Sequence, residues 1–348
     1  MARVTCDCLL VNPWRLYSYH PHQSFAVPLV TLTQTKKQQK LTLFSSSKTR
    51  TRALPFDLSP PPIDHDLLDT VAATAGAKVS DDGIIETFDN DDQALDAVYN
   101  GVAVVDLSHF CRIRVSGEDR IQFLHNQSTA NFECLDEGQL MEELNLGDLV
   151  GQPYGTHQHF SVNGMPVTVG VGNVISEKGF SLLMSPAAAG SVWKTILSQG
   201  ATPMGSNAWE KLRILQGKPA PQKELTNEYN VLEAGLWNAI SLSKGCYKGQ
   251  ETISRLITYD GVKQRLWGIS LSAPAEPGSI ITVGGKKVGK LTSCTSGRKE
   301  SEYFGLGYIK RQNVSEGDTV MVGDAITGTV VEVPFLAGQR PPSRSSSS

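Results

Sequence analysis

The hydrophobic pattern changes character near residue 263. Before it, short helices with a 3.6-residue apolar period alternate with short strands; after it the helical period disappears. The first predicted helix starts at Asp64, carries Leu67, Leu68, Val71 and Ala75, and is closed by Gly76. A second follows Asn90, with Gln93 at capping-box spacing and Leu95, Val98 and Tyr99 inside. VAVVDLS and CRIRVSG alternate as strands. GEDRIQFLHNQS reads as a helix with Glu118 and Asp119 in its first turn, where the helix dipole favours carboxylates, and with Ile121, Phe123 and Leu124 as apolar positions. FSVNGMPVTVGV is a strand–turn–strand with Asn163-Gly164 at the hairpin. FSLLMS is another strand, and residues 187–198 form a helix around Val192, Trp193 and Ile196. NAWEKLRILQ is a short helix capped by Asn207, with Glu210 three residues on and Gly217 and Pro219 as its stop. GQETISRLITY is a helix following the turn KGCYKG.

From Lys263 onward RLWGISL, SIITV, KKVGKLTS, FGLGYIK, DTVMV and AITGTVVEV are short strands split by Gly, Pro and Asp, with a tight hairpin at Gly284-Gly285. That spacing predicts a small antiparallel barrel or sandwich. The fold class expected is α+β: a mixed domain over 63–262, a small C-terminal antiparallel β-barrel over 263–336, and a disordered tail over 337–348.

Composition adds an address and removes some functions. The 348 residues are 40% apolar, enough for a sizeable core. The net charge of −3 is uneven: residues 1–56 hold eight Lys/Arg against the single acid Asp7, which leaves 24 basic and 34 acidic residues in the remainder. A body of net −10 argues against a nucleic-acid groove, which needs a basic face. The leading segment is basic, rich in Ser and Thr and poor in acids, so residues 1–52 are expected to be an organelle transit peptide. Many hydroxyls and few arginines favour the chloroplast stroma, with the mitochondrion as runner-up. No run of about 20 apolar residues predicts a membrane-spanning helix.

Six cysteines are present, Cys6, Cys8, Cys111, Cys134, Cys246 and Cys294, and no two form a Cys-x-x-Cys pair. That argues against a disulfide framework, a zinc ribbon or an iron–sulfur cluster held by this chain alone. Cys246 has a distinctive setting, KGCYKGQE over 244–251. Lys244, Lys248 and a helix starting near Gly249 are all expected to draw its thiol below the ordinary value near 8.5, while Gly245 and Gly249 allow a tight loop and close approach. Read from spacing alone, Cys246 is either a reactive or ligating thiol or a loop cysteine beside solvated lysines.

The octapeptide resembles the K-G-C-[FY]-x-G-Q-E signature of the YgfZ family, folate-binding relatives of the aminomethyltransferase of the glycine cleavage system. Two further stretches agree. VVDLSHFCRIRVSGEDRIQFLHNQSTANF is similar to the family's N-terminal block, with Cys111 where glycine is usual. WEKLRILQGKPAPQKELTNEYNVLEAGLWNAISLSKG is similar to the L-R-x-x-x-G…E-x-x-P-x-E-A-G-L stretch shared with aminomethyltransferases, with Val231 in place of proline. The resemblance covers about residues 64–335 and points to the plastid branch, a subgroup named for transferases. It implies a GcvT-like tetrahydrofolate-binding domain followed by a small barrel, and Cys246 as the functional thiol, with Lys244, Lys248, Gly245, Tyr247, Gly249, Gln250 and Glu251 completing the motif. It also implies a folate site in which Trp209, Arg213 and Glu224 are the expected contacts, an aromatic face for the pterin and a carboxylate for its N–H groups.

One departure stands out. After STANFECLDEGQ the family runs through further strands and a helix, whereas here LMEELNLGDLVGQPYG follows at once. A segment that completes the first lobe is expected to be missing near 139–141, along with the region in which aminomethyltransferases keep their catalytic aspartate. The expected function is therefore a folate-dependent factor for assembly or repair of iron–sulfur clusters. Its partners would be folate, iron–sulfur assembly proteins and client iron–sulfur enzymes, without nucleic acid or membrane. The alternatives are a tetrahydrofolate-dependent aminomethyl transferase and a truncated isoform that binds no folate. Two weaker signals are set aside: His157-x-His159 lacks a third metal ligand nearby, and GVGNVISEKG has no acid at the distance a dinucleotide fingerprint requires.

Overall fold

A computed structural model describes residues 3–7, 76–110, 112–116, 118–129, 140–141, 149–162, 164–175, 179–184, 186–297 and 301–337. The expected helix over 64–75, the tail beyond residue 337, Cys111, Cys134 and most of the leading segment lie outside the described residues. The chain divides into two compact units. One is drawn from 1–62, 107–135 and 238–261; the other from 63–106, 136–237 and 262–348.

The first unit contains β1 (Arg3–Asp7), antiparallel to β5 (Arg112–Ser116), together with two helices, α2 (Arg120–Gln127) and α5 (Gln250–Thr258). Glu118 and Asp119 precede α2 rather than occupying its first turn, and Asp119 makes no side-chain cap bond.

The second unit begins with a two-stranded ribbon of β2 (Lys78–Val79) and β3 (Ile85–Thr87), and then α1 (Asp91–Asn100). The capping box expected at Asn90 does not form. Asn90 donates instead through Nδ2 to the Pro203 carbonyl at 3.0 Å, which ties the start of α1 to β10 (Thr202–Met204). β10 pairs in parallel with β4 (Ala103–Val105). A four-stranded sheet follows in the order β6 (Leu140–Met141), β7 (His157–Val162), β8 (Met165–Val171), β9 (Phe180–Met184). The expected hairpin turns at Gly164, whose φ of 76° is left-handed. Strand alternation buries Phe160, Val167 and Val169 with Leu149 and with Ala188 of α3 (Pro186–Ser198).

Helix α4 (Ser206–Gln216) starts earlier than Asn207, with Gly205 at the N-cap position; Asn207 lies inside it. The stop at Gly217 is as expected. Its φ of 79° is left-handed, and its N–H is accepted by the Arg213 and Ile214 carbonyls. A Cβ there would lie 2.1 Å from Val333 Cγ2. Gly217→Ala is therefore expected to cost at least about 2 kcal/mol, from left-handed strain plus overpacking. A lowered urea midpoint at unchanged slope would report it.

The barrel region closes fully. β11 (Gln264–Leu271), β14 (Tyr303–Lys310), β13 (Lys286–Ser296), β12 (Ile280–Val283), β15 (Thr319–Val322) and β16 (Ile326–Val331) are neighbours in that order, and β16 returns to β11. All these pairings are antiparallel. Inward-facing Ile269, Ile281, Leu291, Ile309, Val320, Val322 and Val330 fill the interior. Gly284 and Gly285, with φ of 55° and 74°, make the tight turn read from sequence. A short helix, α6 (Pro334–Ala337), closes the described chain and buries Leu336.

Candidate functional site

The KGCYKGQE loop enters α5 through Gly249, which has a left-handed φ of 90° that a side chain would strain. Gly245 has neither a positive φ nor any atom within 4 Å of a built Cβ, so only the second glycine answers a conformational need. Gln250 orients the loop: its Oε1 accepts the Tyr247 N–H at 3.1 Å. An open depression of about 310 Å³ is lined by Tyr247, Gly249, Gln250, Glu251 and Thr252. Cys246 is exposed.

The two lysines are equivalent in the sequence and different in the structure. Lys244 Nζ donates to the His125 carbonyl and, at 2.9 Å, to the Ser128 carbonyl, both at the C-terminal end of α2. It also lies 5.0 Å from the centre of the Tyr247 ring. A cation there satisfies acceptors that the helix leaves open and meets the negative end of its dipole. Lys248 uses its backbone, whose N–H is accepted by the Asn126 carbonyl at 3.0 Å, and its side chain is exposed. Two more bonds dock the same segment: Ser241 N–H to the Thr129 carbonyl, and Thr129 Oγ1 to the Ala239 carbonyl, both 2.9 Å. The structure thus gives the Lys244 ammonium carbonyl partners at the end of α2, a role that the spacing about the thiol does not announce.

Trp209, Arg213 and Glu224 are in the second unit and are all buried. Every N–H of the Arg213 guanidinium has an acceptor. Nε donates to Glu210 Oε2 at 2.8 Å; Nη1 to the Lys218 carbonyl at 2.6 Å and Glu224 Oε2 at 2.9 Å; Nη2 to Glu210 Oε1 at 2.6 Å and Ser293 Oγ at 3.1 Å. Glu224 is equally saturated. Its Oε2 also accepts the Ala220 N–H at 3.0 Å, and its Oε1 accepts the hydroxyls of Ser293 at 2.6 Å and Thr292 at 2.7 Å. Five guanidinium donors and four carboxylate acceptor positions are the full inventory of the two groups. The pair holds α4 to β13, so the two residues expected as folate contacts carry a structural network that joins the helix to the barrel strand. Trp209, only 8% exposed, is a core side chain of the same helix.

Glu210 shows the electrostatics of this cluster. Burial pushes its carboxyl up, but hydrogen bonds and charge from Arg213, and then from Lys223 at 2.6 Å, outweigh burial and hold it below the ordinary value. A depressed carboxylate adds stability above the unfolded value near 4.3 and loses it as pH falls through the folded value. Urea midpoints should therefore drop more steeply below about pH 4.3 in the parent than in Glu210→Gln.

Glu233 is a buried carboxylate that sequence reasoning missed. Burial, opposed by the Asn230 N–H, Gln264 and Lys263, raises its carboxyl above the ordinary value. Oε2 accepts the Asn230 N–H at 3.1 Å. Nearby in sequence, Tyr229 stacks on fully buried Tyr308 with ring centres 3.5 Å apart and an 11° interplanar angle. Both phenols are raised, by burial first and by neighbouring negative charge that includes Glu233. The signal was present, since Glu233 is the glutamate of the E-A-G-L run itself. His157 and His159 stand on the face of β7 opposite Phe160, with rings 5.6 Å apart. No group of three or more potential metal ligands occurs among the described residues, and no described helix is long and apolar enough to cross a membrane.

Residues 139–244 match the GCVT N-terminal domain family. The chain belongs to the GcvT-like superfamily, a class of aminomethyltransferase-related proteins, here with a mixed helix–sheet region and a closed C-terminal barrel. Within it, a chloroplastic "Putative transferase" of Arabidopsis thaliana is 56% identical over 369 aligned positions, covering 85% of each chain. Aminomethyltransferases of Symbiobacterium thermophilum and Synechococcus elongatus are each 28% identical, over 210 and 199 residues. The chain spans about half the length of these two, 56% and 53%. A crystal structure of aminomethyltransferase T from Bartonella henselae matches at 20% identity and a TM-score of 0.46, over 53% of each chain.

Proposed function

We propose that this protein is a folate-dependent factor for the assembly or repair of iron–sulfur clusters in the chloroplast stroma, acting through Cys246. The observation that carries the reading is the exposed thiol at the apex of a loop anchored on both sides to the end of α2. A packing cysteine would be buried; this one is held outward. The chloroplastic name of the 56%-identical relative supports the plastid address. Aminomethyltransferase kinship supports tetrahydrofolate as the ligand.

The carboxylate assigned to the pterin is Glu233 rather than Glu224, because it is buried, raised by burial, and not saturated by charged partners. A titration of the chain with tetrahydrofolate, followed by tryptophan fluorescence, tests this. Saturable quenching is expected, with Glu233→Gln weakening it by about 1–3 kcal/mol. No saturable signal removes folate from the account.

The match of 139–244 to an aminomethyltransferase-type domain favours a second reading, a tetrahydrofolate-dependent transferase. The alignment to the Arabidopsis relative bears on it. At 369 positions it is longer than this 348-residue chain yet covers only 85% of it, so it contains gaps of several tens of residues on this side. The first reading rests on the exposed thiol, and the transferase reading rests on the family match and on the relative's name.

A further inference from the structure

We propose that Lys244 is a positioning residue: its ammonium suspends the Cys246 loop from the C-terminal carbonyls of α2, and it serves function through that attachment rather than by placing charge beside the thiol. The inference deepens the proposed role of Cys246 and rests on it, but its geometry stands alone.

Helix α2 ends at Gln127 with Ser128 extended, so its last carbonyls need partners from elsewhere. The segment 241–248 supplies them. Lys244 Nζ reaches the His125 and Ser128 carbonyls, the Lys248 N–H reaches Asn126, and the Ser241 N–H reaches Thr129. The last two are backbone amides, which any residue except proline could supply. Only the Lys244 bonds need a long side chain with several donors and a positive charge. The loop residues between the two lysines are Gly245, Cys246 and Tyr247, and Tyr247 packs under the Lys244 ammonium while its own N–H goes to Gln250. Cys246 is thus the residue left facing outward when its neighbours are fixed. The sequence symmetry of Lys244 and Lys248 about the thiol conceals this division: one lysine contributes its side chain, the other its backbone.

Three variants separate attachment from charge. Lys244→Met matches the length of the stem without donors or charge, Lys244→Arg keeps both, and Lys248→Met removes only an exposed ammonium. Hydrogen exchange over 241–251 should quicken by about tenfold or more in K244M, the change that losing a charged hydrogen bond implies. K244R should restore most of the protection and K248M should keep it. Barrel amides, followed in the same experiment, report whether each variant is folded. The pH profile of Cys246 alkylation gives the second readout: K244M should change the plateau rate at high pH and leave the midpoint where the parent has it. Rescue of iron–sulfur enzyme activity should be lost in K244M and regained in K244R. Unchanged loop exchange in folded K244M, or a midpoint moved upward with the loop still protected, would overturn the proposal in favour of charge tuning. Failure of the parent chain itself to rescue would count against the proposed function and leave the exchange result to decide this inference.

Discussion

Glu224→Ala is expected to lower the unfolding free energy by about 3–5 kcal/mol, the cost of breaking a buried ion pair by removing one partner. Glu224 is fully buried and Arg213 is 5% exposed. Removing the carboxylate strips one charged acceptor from the guanidinium and leaves Ala220 N–H, Ser293 Oγ–H and Thr292 Oγ1–H without it. Arg213 would keep Glu210, so its charge is not wholly abandoned. Arg213→Met should cost a similar amount, because it leaves the Glu224 carboxylate buried with neutral donors only. The double variant should cost clearly less than the two singles added, since each single includes the penalty of an orphaned charge. Urea unfolding of the three variants measures all of this. A loss under about 1 kcal/mol for Glu224→Ala would show that water reaches the pair and that its network does not hold α4 to β13.

The second large effect is functional. On the proposed function, Cys246→Ala should abolish rescue of iron–sulfur enzyme activity in cells lacking this protein, while changing stability by no more than about 0.5 kcal/mol, as surface substitutions do. The thiol is exposed and belongs to none of the described core clusters. Tetrahydrofolate binding should survive, because an exposed loop thiol contributes little packing. Cys294 is the internal control. It is partly buried against the barrel interior, so Cys294→Ala should leave rescue in place. Full rescue by Cys246→Ala would move the functional chemistry away from this motif.

The barrel was legible because its strands announce themselves twice, by period-two alternation and by Gly, Pro and Asp at their ends. Half of its neighbouring pairs, β12–β13, β13–β14 and β15–β16, are also sequential hairpins, which turn chemistry fixes locally. Helix ends were less legible. Asn207 looked like a cap and lies inside α4, and Asn90 donates its Nδ2 to the Pro203 carbonyl, 113 residues away, while its oxygen makes no cap bond to the helix. The same limit governs the site. Arg213 and Glu224 have the residue types that recognise a pterin, and nothing within a few positions of either shows that Ser293, 80 and 69 residues downstream, completes their inventory. Lys244 has the same difficulty, since its acceptors lie more than a hundred residues upstream. The octapeptide, by contrast, was readable because its identity is carried by adjacent residues.

The closed barrel also restricts how other proteins can be met. Each of its six strands already has two neighbours, and β16 returns to β11, so no row of backbone donors and acceptors is left along a free side. An incoming chain cannot extend this sheet as it would extend an open one. Recognition at the barrel therefore belongs to its inter-strand turns and outward side chains, while the wall behind them is held by its own pairings. Outward loops and turns can change with no adjustment to the interior that keeps the barrel shut.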